Sequence, residues 1–144
     1  MYQTILAPID GSDAAFEAAR HAIAIAEDGN GSGHVLFVIE PKPSYTRFGV
    51  GGLQGEEVMS EHRAFAEQSV EEVAEVAAER GVDCTTGVKT GTPYDVIVTH
   101  ADTIGADAIV MGRHGYDWGG IEEKILGSTT ERVLKRTEVP VITA

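Results

Sequence analysis

The chain has 144 residues, enough for a single domain, and 42% of them are apolar, enough to bury a real core. Asp and Glu number 23 against 11 Lys and Arg, a net charge of −12, which argues against a nucleic-acid binder and against docking on an anionic membrane. One cysteine, Cys84, excludes an internal disulfide and a multi-cysteine zinc site, and no apolar run approaches the roughly 20 residues needed to span a bilayer.

Short β-branched runs alternate with longer helical stretches along the chain. The opening MYQTILAPID has no basic stretch leading into a long apolar one, so a cytoplasmic location is expected. Gln3–Pro8 reads as a first strand. Ser12 is placed to cap a helix running to about Asp28, with Asp13 in its first turn and Ala18, Ala19, Ala22, Ile23 and Ala26 on one stripe. Gly29–Gly33 ends it, and His34–Ile39 is a second strand. A loop from Glu40 to Gln54 leads into a long helix over about Glu56–Arg80, with Phe65, Ala66, Val70, Val73, Ala74 and Ala77 as its buried face and Gly81 as its stop. Asp83–Lys89 is a third strand, which buries Cys84 in a structural role. Thr92-Pro93-Tyr94-Asp95 is a strong helix start, and that helix ends near Gly105. Ala108–Met111 has the apolar character of a central parallel strand. After a second long loop, Gly112–Leu126, the run Ser128-Thr129-Thr130-Glu131 has the pattern of a capping box. Its helix runs to about Arg136, and Val139–Thr143 closes the chain as a fifth strand. This order predicts one α/β domain with a parallel sheet covered by helices on both faces. Ligands of such sheets bind beyond the carboxyl ends of the strands, where the strand order reverses.

Charge singles out one region. Residues 1–111 carry 18 acids and six bases, whereas residues 112–144 carry five of each. An anion is therefore best received by the last quarter. The excess carboxylate elsewhere is either a solvated face or an adaptation to a salt-rich cytoplasm, in which screening suppresses self-repulsion. In the near-neutral quarter Met111-Gly112-Arg113-His114-Gly115 forms a glycine-lined strand exit. After a loop, Gly127-Ser128-Thr129-Thr130 forms a helix start with free amides and hydroxyl donors, groups suited to a phosphate. No Walker lysine motif and no dinucleotide-binding glycine fingerprint is present. The third strand ends Val88-Lys89-Thr90, without the phosphoacceptor Asp of a two-component receiver. The five histidines show no metal-ligand spacing, so no metal site is expected.

Three stretches, ILAPIDGSDAA, MGRHG…LGSTTERVL and TEVPVI, resemble the universal stress protein family over nearly the whole chain. The resemblance implies a three-layer sandwich around a five-stranded parallel sheet, like that of the adenine-nucleotide alpha hydrolases. It also implies ATP as ligand, possible with Mg²⁺, in a regulatory module of stress response without an efficient catalytic apparatus. ATP-binding members carry Gly-x2-Gly-x9-Gly-(Ser/Thr), matched here by Gly112, Gly115, Gly127 and Ser128. Eleven residues separate Gly115 from Gly127, where that pattern has nine, and the loop adds Asp117, Glu122 and Glu123. The likeness assigns Asp10, with Pro8 and Ile9, to the adenosine portion and the backbone of Val38 to the base. Gly112, His114, Gly115, Gly127, Ser128, Thr129 and Thr130 fall around ribose and phosphates, flanked by Met111 and Arg113. It further implies a homodimer paired through the last strand. The competing readings are a dimeric interaction module without nucleotide and a slow phosphotransfer enzyme.

Overall fold

The computed structural model describes residues 2–41, 52–113 and 126–144, the side chains of 52–58 excepted. In the first strand, β1 (Thr4–Ile9), alternate side chains enter two apolar clusters. Ile5, Ala7 and Ile9 pack on one side and Leu6 on the other, so both faces of the strand are covered. The order continues with α1 (Asp13–Asp28), β2 (Ser32–Ile39), α2 (Gly52–Glu79), β3 (Asp83–Thr90), α3 (Pro93–Ile104), β4 (Ala108–Met111), α4 (Ser128–Arg136) and β5 (Val141–Thr143). The five strands form one parallel sheet in the order β3-β2-β1-β4-β5. Helices α1 and α2 cover one face through Ala18, Ala22, Ile23, Val70 and Val73, while α3 and α4 cover the other through Ile97, Ala101 and Val133. This is the three-layer α/β sandwich expected from the alternating pattern.

The strand order reverses between β1 and β4, and the ladder there is short. Only Ile5 pairs with Ala108 and Leu6 with Ile109, whereas β1 pairs with β2 over six residues. Beyond Leu6 the chain passes through Pro8, which has no N–H to donate. The two strands therefore run to their carboxyl ends without a ladder between them, and their exits, Ile9–Asp10 and Met111–Gly112, flank the reversal point at which ligands of such sheets bind. At the opposite end, Asp107 accepts the backbone N–H groups of Gln3 and Thr4, both at 2.9 Å. Those two bonds, Thr4's foremost, hold its carboxyl below the ordinary range.

Several boundaries differ from those expected. β2 begins at Ser32 rather than His34, because Ser32 N–H already donates to Gln3 O at 2.7 Å. α2 begins at Gly52, four residues before Glu56. β5 starts at Val141, not Val139, since Pro140 cannot extend the ladder and only its carbonyl serves, accepting Ile109 N–H at 2.9 Å. Phe65 is not in the core. It is 44% exposed and meets Phe37 in a T-shaped contact, at a centroid distance of 6.0 Å and an interplanar angle of 89°. Ala74 is half-buried, as is Cys84, whose thiol is pushed up by burial and then by Glu71.

Candidate functional site

Three local devices shape the strand exits at the β1–β4 reversal. First, β1 leaves the sheet at Asp10, whose Oδ1 accepts Ser12 N–H at 2.9 Å. Ser12 then caps α1, its Oγ accepting Ala15 N–H at 3.2 Å. Asp10 is thus half-buried and held at the rim, with Pro8 and Ile9 buried behind it. Second, Gly112 brings the exit of β4 against the first turn of α1. A Cβ at that position would lie 3.3 Å from the Ala14 carbonyl group and from Ala15 N, so only glycine fits without moving backbone.

The third device is a clasp joining the β4 exit to α4. Thr130 Oγ1 donates to Gly112 O at 2.9 Å, and Gly127 N–H donates to Arg113 O at 2.6 Å. On the other side, Ala144 N–H donates to Met111 O at 3.1 Å and Arg113 N–H to Ala144 O at 3.2 Å. Four backbone groups of Met111–Arg113 are thus committed within the protein. They make a rigid strut rather than ligand donors.

The clasp also shifts the helix start. Ser128 is not the N-cap and the expected capping box does not form as such: the cap is Gly127, with φ −67° and ψ 160°, and Ser128 is the first helical residue. The first intrahelical bond runs from Glu131 N–H to Gly127 O, at 3.0 Å. The amides of Ser128, Thr129 and Thr130 precede it, at the positive end of the helix dipole. Ser128 is exposed and Thr129 half-buried, so both can offer hydroxyls outward. Thr130 is 4% exposed and its hydroxyl is spent on Gly112.

The residues expected at a nucleotide site fall into three groups. Asp10, Gly127, Ser128 and Thr129 lie along the strand-exit rim around the buried Gly112, and Arg113 is exposed there without an ion pair among the described residues. Pro8, Ile9, Met111 and Thr130 are buried and build the frame; Val38, near the end of β2, is half-buried against the α3–α4 side. His114 and Gly115 lie outside the described residues, as do Trp118, Glu122 and Glu123. Among the described residues no group of three or more His, Cys, Asp and Glu is placed to hold a metal ion. No described helix is long and apolar enough to cross a membrane.

Two neighbours went unread in the sequence. Ala144, the last residue, braces the strand exit through its backbone, which no side-chain pattern signals. Phe65 lies across Gly11, where a Cβ would strike its ring, and so borders the rim from the α2 side. Its place in an amphipathic stripe concealed that position.

The family model described as the universal stress protein family matches residues 1–144. A universal stress protein of Methanocaldococcus jannaschii, MJ0531, is 36% identical, with 99% of this chain and 81% of that protein covered. The solved structure of MJ0577, another universal stress protein of that organism, superposes with a TM-score of 0.85 at 28% identity, covering 100% of this chain and 96% of that one. The universal stress protein of Archaeoglobus fulgidus in complex with dAMP shares the fold, with a TM-score of 0.70 at 22% identity over 99% of this chain and 97% of that one.

Proposed function

This chain belongs to the universal stress protein family, and we propose that it is an adenine-nucleotide-binding regulatory module whose ligand is ATP. The observation that carries this reading is the β1–β4 reversal itself, with Asp10 at one strand exit and, clasped to the other, the start of α4 with the amides of Ser128–Thr130. It has the location and polarity that an adenine nucleotide requires. A few charge-assisted hydrogen bonds at roughly 1.5–3 kcal/mol each, with up to about 2 kcal/mol from the helix dipole, approach the ~8 kcal/mol of micromolar binding. Base burial beside Val38 supplies the remainder. That a protein of this fold has been solved with dAMP agrees with the proposal at the level of the fold. Mg²⁺ would accompany the triphosphate as its counter-ion. No Walker lysine accompanies the site, so nucleotide state rather than rapid hydrolysis is the working output.

The test is to release and identify any nucleotide carried through purification, at low and at high salt, and to titrate the emptied protein with ATP and Mg²⁺ by calorimetry. Saturable ATP binding that weakens about tenfold or more in Gly115→Val supports the reading. Absence of binding at millimolar ATP in both salts overturns it.

The position of β5 at the sheet edge, with Val141 and Ile142 half-buried, favours a two-fold dimer through that strand. A second copy would cover an apolar edge that is otherwise blunted by Pro140 and the nearby, exposed Glu138.

A further inference from the structure

Three of the eleven basic residues of this acidic chain line one open depression of about 590 Å³ on the α3–α4 face. Arg132, Lys135 and Arg136 come from α4, and the fourth lining residue is Tyr94, in the first turn of α3. Both guanidinium carbons lie over the Tyr94 ring, Arg132 at 5.4 Å and Arg136 at 4.8 Å from its centroid. Cation–π contact fixes the two planar groups in place while leaving their N–H edges available. Neither arginine forms an ion pair with a described residue. Lys135 Nζ is shared with Glu131 Oε1 at 3.0 Å, so the depression carries three cations and one carboxylate. None of the residues of the strand-exit clasp lines it.

We propose that this depression is a second anion site, separate from the proposed nucleotide site, for a small phosphomonoester. Charge and geometry both select that class. Three cations less one carboxylate leave two positive charges, which match a phosphate dianion. Arg132 and Arg136 are one helical turn apart and converge on the same ring, so a ligand between them must accept from two forks at once. A tetrahedral phosphate with three terminal oxygens does so, whereas the two oxygens of one carboxylate are satisfied by a single guanidinium. The volume is in the range of small-molecule sites, so an organic portion fits beside the phosphate and against Tyr94.

The proposal is tested on the ¹⁵N-labelled full chain, titrated with inorganic phosphate and with phenyl phosphate and followed at the arginine Nε–Hε signals. Saturable shifts at Arg132 and Arg136 with one common dissociation constant are expected, tighter for phenyl phosphate. Arg132→Gln with Arg136→Gln, at exposed helix positions that glutamine suits, should weaken binding about tenfold or more. Tyr94→Leu, which keeps every charge, should weaken it several-fold, with unchanged core signals showing that the fold survives. Citrate at matched ionic strength should displace neither phosphate compound. Shifts that do not saturate, shifts confined to the amides of Ser128 and Thr129, full affinity in either variant, or equal competition by citrate would each overturn it.

Discussion

Replacing Thr130 by Val isolates the clasp on which the candidate site stands. Valine keeps the β-branched shape and nearly the volume of threonine, so packing and χ1 preference are conserved. What disappears is the hydroxyl that Thr130, 4% exposed, donates to Gly112 O at 2.9 Å. Gly112 is itself buried, so its carbonyl loses that partner in a place water does not reach. Such an unsatisfied acceptor costs about 1–3 kcal/mol. For a 144-residue chain the unfolding entropy is roughly 0.3 kcal/mol per degree, so the midpoint should fall by about 3–10 °C. Thr130→Ser keeps the hydroxyl and loses one methyl, worth about 0.8 kcal/mol of burial, so it should lie between wild type and valine. Calorimetric melts at one protein concentration separate the three proteins. The nucleotide titration should rank them in the same order, because loosening the clasp misplaces the amides of α4. If the valine variant melts with wild type, or below it no further than serine does, the hydrogen bond is not what joins α4 to the strand exit.

Gly112→Ala should cost about 1–3 kcal/mol in urea unfolding, because the new methyl meets the backbone of Ala14 and Ala15 rather than a yielding side chain. His100 and His34 are held below the ordinary histidine range, chiefly by burial and, for His100, also by Lys89, whose Nζ lies 3.0 Å from its Nδ1, and by His34. Both are neutral when folded and take a proton more readily when unfolded. Stability should therefore be full above about pH 6.5 and fall as pH drops below it, a slope that His100→Gln reduces in urea titrations. Thr143→Asp, at an exposed position of β5, should convert a dimer to a monomer in sedimentation, as should Val141→Asp with Ile142→Asp; a wild type already monomeric at high micromolar concentration refutes the pairing.

The alternation of strands and helices was legible because it depends on short-range periodicity. The buried stripe Ala18, Ala19, Ala22, Ile23 and Ala26 emerges as expected, and β4 spans Ala108–Met111 as read. Where the reading slipped, long-range contacts decide the outcome. Ser32 joins β2 only because Gln3 O is beside it, a pairing between segments 29 residues apart. Phe65 occupies a correct position in an amphipathic pattern, yet it lies near the rim of the sheet, where the layer beneath it ends. Periodicity assigns a residue to a face of its helix. It does not say whether the sheet extends far enough to cover that residue.

The helix start at residue 128 shows the same division more sharply. Ser-Thr-Thr-Glu is a sound capping sequence, but Gly127 is drawn into the cap by its bond to Arg113 O, across the whole intervening loop. That bond also bears on the lengthened glycine spacing. Because the clasp pins Arg113 to Gly127, the extra length is contained between two fixed ends and does not displace the amides of α4. Extending the stretch between Gly115 and Gly127 from nine residues to eleven raises the closure entropy by only about 0.2 kcal/mol. Breaking the Thr130 bond leaves Gly112 O unsatisfied at a cost of about 1–3 kcal/mol, which exceeds that several-fold. The longer spacing is thus compatible with the α4 start on which the proposed nucleotide site relies. What the longer stretch adds is charge, Asp117, Glu122 and Glu123 in the sequence, and its effect on the proposed phosphate site is one that salt can screen.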